Sequence, residues 1–108
     1  MSRPVSTVAL LTDATATGAG TSHEPWNEKR TFQGVGSTTS GSGAATIKVQ
    51  ASNDNANWID LGTITLTLGV TATTDGFTSD APWRYIRGNV TAISGTGAKA
   101  SLLMGNIP

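Results

Sequence analysis

The side chains that could do chemistry in this 108-residue chain are few and far apart. His23 is the sole histidine. Ser22 and Glu24 flank it and supply the residue types of a nucleophile, base and orienting acid. Such a set must converge on one point, however, and neighbours in an extended chain point apart. His23 is therefore expected in an exposed loop. Asn53, Asp54, Asn55 and Asp60 carry oxygens of the kind that bind calcium, but the spacing lacks the rest of an EF-type loop and its bidentate Glu. They are the composition of an Asx-rich turn, whose short polar side chains bond their own backbone. Asp75 and Asp80 stand in turn-like sequence on either side of Phe77, where aspartate is ordinary. The glycine-rich run Ser37–Gly43 has no Lys-Ser/Thr ending and no helix after it whose N-terminus could hold an anion, so it is expected to be a flexible tip. There is no cysteine to attack a substrate, bind a metal or form a disulfide. The expectation is a protein without catalytic activity, cofactor or metal.

One constellation suggests binding. Trp83, Tyr85, Arg87 and Asn89 fall on one face of a strand expected over Trp83–Ala92. Aromatic rings with Arg and Asn can stack on and hydrogen-bond a sugar. They can equally form the centre of a protein interface, where Trp, Tyr and Arg are enriched. A sheet face packed under a loop is the third reading.

The elements that would position these groups are strands. Ile47, Val49 and Ala51 alternate with Thr46, Lys48 and Gln50, the period-two pattern of a strand with one buried and one wet face. The Ser52–Asn57 turn follows, then Trp58, Ile59 and Leu61, which completes a β-hairpin with a loop longer than the two-residue type. Trp58 is expected as a core or rim anchor. Ile64, Leu66 and Leu68 alternate with threonines in the cleanest such pattern of the chain. Val5–Thr12 is a strand with Val8 and Leu10 on one face and Leu11 at its end. Arg30–Val35 is another, with Phe32 inward and Gly34 and Gly36 marking a bulge or a close backbone approach. Ile86, Gly88 and Val90 share a face, as do Ala98, Ala100, Leu102 and Met104. Phe77 starts a brief strand after a turn at Thr71–Gly76. Asp13–Ser22 is small and polar, a loop or an extended arm of the sort ordered against a partner. Pro25 and Trp26 lead into the Arg30 strand.

Turn signals recur about every ten residues and no helical periodicity is sustained. The fold class expected is all-β, an antiparallel β-sandwich resembling a jelly roll, with about seven or eight strands in a single domain over 1–108. The segment 13–29 is its loop-rich part. Charged residues make up 13% of the chain and sum to zero formal charge, which leaves a surface poorly suited to a free monomer. The seven basic residues are dispersed, which disfavours nucleic acid as a partner. The longest apolar run, Val8–Leu11, is too short to span a membrane, and no signal-peptide core is expected at the N-terminus.

Two resemblances follow from these residues. VQASNDNANWIDLG and APWRYIRGNV resemble the hairpin and strand of discoidin-like jelly rolls. There Ser52, Asp54, Trp58 and Arg84-Tyr85-Ile86-Arg87 match, while Asn55 replaces the glycine after the aspartate. The whole chain is also similar in style to small tailed-bacteriophage structural proteins, above all head decoration (cement) proteins. It shares with them a Cys-free, weakly charged chain of this length and a GSGAAT loop before the SNDNANW hairpin. That resemblance implies a non-enzymatic module on the capsid surface of a virion, binding the major capsid protein and itself as a homodimer or homotrimer. It implies neither nucleic acid nor membrane as partner. A carbohydrate-binding module, or a tail or collar appendage, is the alternative. The segment Asp13–Trp26 and the loop Ser37–Gly43 are the candidate contact regions, with His23, Trp26, Ser40, Trp83, Tyr85 and Arg87 as partner-binding residues. The strand Thr63–Leu68 has neither charge nor Pro, so it is expected either in the middle of a sheet or paired with a neighbouring copy.

Overall fold

The computed structural model describes residues 6–24, 30–79 and 83–106. They form eight strands: β1 Ser6–Ala14, β2 Gly18–Ala19, β3 Arg30–Ser37, β4 Ser40–Ser52, β5 Ile59–Leu68, β6 Thr73–Ser79, β7 Tyr85–Thr96 and β8 Lys99–Asn106. One sheet has the order β1-β8-β3-β6 and the other β2-β7-β4-β5. The antiparallel partnerships explain that order. β1 pairs with β8, β2 with β7, β3 with β6 and β4 with β5. The chain is thus one long hairpin whose tip is the β4–β5 turn, rolled until β3 meets β8 and β4 meets β7. This is the jelly-roll winding, two sheets closed over one core.

The core follows from the alternation. Ile47, Val49, Ala51, Ile64, Leu66, Leu68, Ile86, Val90, Ala100, Leu102 and Met104 are buried between the sheets. Phe32 is buried as expected, and its ring lies 5.1 Å from that of Phe77. Gly34 belongs to an uninterrupted run of pairing, so it marks a close approach and not a bulge. A Cβ there would stand 2.8 Å from Ile64 Cγ2, so the sheets meet at a distance only glycine permits.

Several expectations are corrected. Leu10 and Leu11 are both buried, because the β1–β8 register shifts between Ala9 and Leu11 and turns consecutive side chains inward. The Asp13–Ser22 segment is not a free arm. β1 runs on to Ala14, β2 adds to β7, Gly20 N–H donates to Gly88 O, and His23 exchanges backbone hydrogen bonds with Ile86. Those pairings give the segment's backbone partners within the domain itself. Asp75 and Gly76 lie inside β6, opposite Gly34 and Gln33, and not in a turn. The strand needs glycine at 76, because a Cβ there would strike the Phe32 carbonyl oxygen. Asp80 lies outside the described residues.

The Ser37–Gly43 run is not a flexible tip either. Only Thr38 and Thr39 separate β3 from β4. Thr38 is buried, its hydroxyl donates to Gly41 O at 2.6 Å and its N–H to Gly69 O at 2.9 Å. Thr39 N–H donates to Thr96 O at 3.0 Å. The chain is pinned there because it must cross from one sheet to the other over a closed core.

Candidate functional site

The strand β4 shows Thr46, Lys48 and Gln50 on the outer face of its sheet, while β7 brings Tyr85, Arg87 and Asn89 alongside. The register places Gln50 opposite Arg87 and Lys48 opposite Asn89. On the other side of β4, Gln50 faces Asp60 of β5. The side chains connect into one network. Arg87 Nε donates to Gln50 Oε1 at 2.9 Å, Gln50 Nε2 donates to Asp60 Oδ1 at 3.0 Å, and Lys48 Nζ reaches Asp60 Oδ2 at 3.1 Å. Asn89 makes a longer contact with Gln50 Oε1. The Gln50 amide is the hub, because it accepts from the cationic side and donates to the anionic side. Its hydrogen bond, and then that of Lys48, hold the Asp60 carboxyl below the usual carboxylate range.

The network ends in a stack. The Arg87 guanidinium lies over the Trp58 ring, 4.2 Å from its centroid. A planar cation over the electron-rich face of an indole is attracted by the ring quadrupole. Trp58 is half-buried, a rim residue at the junction of the turn and β5. Arg84 lies 5.1 Å from the Tyr85 ring centroid and makes an exposed ion pair with Glu24.

The turn that delivers Trp58 is built by its own side chains. Ser52 Oγ accepts from the N–H groups of Asp54 and Asn55 and donates to Asp54 Oδ1. Asp54 Oδ1 in turn accepts from the N–H groups of Ala56 and Asn57, and Oδ2 accepts from the Asn57 amide. These bonds, led by the Asn57 N–H, drive the Asp54 carboxyl well below its ordinary range. Asn55 takes the left-handed conformation, with φ 58°. Asn53 Oδ1 accepts the Arg84 N–H and ties the turn to the approach of β7. Among the described residues no group of three His, Cys, Asp or Glu is gathered to hold a metal. Both Asp54 oxygens are engaged within the turn.

The structure therefore brings Tyr85 and Arg87 together on one face, with His23 bridged by its backbone to Ile86 between them. Trp83 departs from that face. It precedes β7, which begins at Tyr85, and packs against the core. Ser40 is exposed at the opposite end of β4, across from Thr96, and shares no site with Tyr85 and Arg87. Trp26 lies outside the described residues. Reading strand by strand missed Trp58, Gln50 and Asp60 as members of the face. The usable signal was the pairing of SNDNANW with RYIR, which here proves to be a spatial contact between Trp58 and Arg87 and between Asn53 and Arg84.

No protein-family model and no curated protein matches the chain. Among solved structures it is similar to the crystal structure of the exported protein XepA of the phage PBSX, with a TM-score of 0.58 and 15% sequence identity. The match covers 95% of this chain and 37% of that one. At this identity the likeness is one of fold, and this chain spans little more than a third of that protein.

Proposed function

We propose that this chain is a non-enzymatic structural module of a bacteriophage particle, a decoration protein that binds the major capsid protein at the capsid surface. The observation that carries the reading is the jelly roll shared, over nearly the whole chain, with part of an exported phage protein. Support comes from the weakly charged, zero-net-charge composition, which suits a surface covered in an assembly. Many copies on a symmetric shell would add weak contacts into a stable lattice. The experiment is the stoichiometry of purified virions by quantitative gel or mass spectrometry. A copy number comparable to the major capsid protein is expected. A handful of copies per particle would move the assignment to a tail or collar part.

The outer face favours a second reading, a carbohydrate-binding or host-attachment module. Trp58 stacked under Arg87, with Gln50 and Asn89 beside it, offers the ring and the amides that sugar recognition uses. Titration with host polysaccharide tests it. Saturable binding that disappears in Trp58→Ala while the fold is retained would establish this reading over the first.

A further inference from the structure

Two four-stranded sheets have four edges, formed by β1, β6, β2 and β5. An edge strand offers unpaired N–H and C=O groups to any other strand, and native proteins blunt such edges. Three of the four are blunted. β1 is broken by two register irregularities and by Asp13 at φ 45°. β2 is two residues long. β6 carries Asp75 and Gly76 at its middle. The β5 edge is different. After an extra residue, Leu61, the run Gly62–Leu68 pairs with β4 without irregularity and contains neither charge nor Pro. The strand read from sequence as central or self-paired is therefore not central.

We propose that the β5 edge pairs antiparallel with β5 of a second copy, joining two sheets into one of eight strands. The occupant is identified by self-complementarity. A two-fold axis at Thr65 sets Thr65 against itself, Thr63 against Thr67 and Ile64 against Leu66, so hydroxyls face hydroxyls and apolar groups face apolar groups. Threonine pairs across antiparallel strands are favourable, and with no charge in the run nothing repels an identical copy. The backbone has the matching orientation. The Thr67 carbonyl accepts the Thr73 hydroxyl at 2.9 Å and, having two lone pairs, keeps one for a second N–H donor. By the alternation of an antiparallel ladder, Thr63 and Thr65 also direct N–H and C=O off the sheet.

A second observation fits the same axis. The two exposed large hydrophobic residues among those described are Ile59, 46% exposed, and Val70, 67% exposed. They lie at opposite ends of β5. The two-fold at Thr65 brings Ile59 of each copy to the end where the other's Val70 lies, and the extra residue Leu61 improves that alignment. Pairing would cover both.

The inference rests on the edge geometry and not on the capsid reading, so either can fail without the other. It is tested on the whole chain by sedimentation up to ~1 mM, where a contact with Kd ~1 mM is substantially populated. A reversible dimer is expected, with Thr63 and Thr65 amide exchange slowing as concentration rises. Thr65→Pro removes an outward N–H, which edge strands tolerate, and should abolish the dimer. Val70→Asp changes an exposed residue outside the core cluster, sets a carboxylate near the second copy's Asp60, and should weaken the dimer by about tenfold or more. It answers the question even if Thr65→Pro misfolds. A wild-type chain that stays monomeric over this range, a dimer that persists in folded Thr65→Pro, or one that forms with wild-type affinity in Val70→Asp, would overturn the proposal.

Discussion

The two ends of β4 solve the same problem by different means. At its C-terminal end the chain reverses through Ser52–Trp58, and polar side chains two or three residues apart satisfy the turn. At its N-terminal end Thr38, Thr39 and Gly43 are held by residues that arrive from far along the chain, Gly69 and Ser94–Thr96 among them. The first end is a local structure that carries its own hydrogen bonds to the surface. The second exists only once β7 has docked. The candidate binding face sits at the self-supporting end, where a mutation can change the surface without opening the sandwich.

Breaking the dependent end should have the largest effect. A Cβ at Gly43 would strike the Ser94 carbonyl oxygen, which is backbone and cannot rotate aside. Gly43→Ala should cost about 3 kcal/mol, the upper range for overpacking, read as a lower urea midpoint.

The self-supporting end should yield less, and in a pH-dependent way. The Asp54 pKa is depressed in the folded chain. Its contribution to stability is therefore complete above the unfolded carboxylate range, near pH 4, and is lost as pH falls through the lower folded value. Asp54→Asn should be less stable than wild type at pH 6, and the gap between their urea midpoints should close as pH falls toward 2. A gap that stays constant with pH would mean that the hydrogen bonds and not the charge hold the turn.

Trp58→Ala should cost about 1 kcal/mol of stability through the lost Arg87 stack, with the far-ultraviolet spectrum unchanged. Arg87→Lys should retain part of that contribution, and comparing their thermal midpoints measures how much of it is stacking. The smallest effect is expected from Lys48→Ala. The Lys48–Asp60 pair is exposed on both sides, so its loss should leave the unfolding midpoint close to wild type and the network centred on Gln50 in place.

The contrast between the two ends also marks how far the residues alone could be read. Ile47, Val49 and Ala51, then Ile64, Leu66 and Leu68, reveal their faces because a strand alternates whatever it pairs with. The Ser52–Asn57 turn is legible because its partners lie within the same few residues. The glycines of Ser37–Gly43 looked like a mobile tip because nothing nearby shows the strand that packs on them. Trp83 looked like a member of the Tyr85–Arg87 face because a strand was extended over two residues that precede β7. Trp58 looked like an isolated anchor because its partner Arg87 is distant in sequence and meets it only through the register of β4 with β7 and β5.

By itself, then, the amino-acid sequence determined the all-β class, the inward rows of the main strands, the central hairpin and the residues of its turn. These depend on period-two geometry and on hydrogen bonds between near neighbours. Only the tertiary structure decided that β2 and His23 line the β7 edge, that consecutive Leu10 and Leu11 both turn inward, that Trp58 lies under Arg87, and that β5 is an edge. Each of these depends on which strands become neighbours. That choice is made by closing one long hairpin over a shared core, where the apolar burial is common to all strands and no single segment encodes its partner.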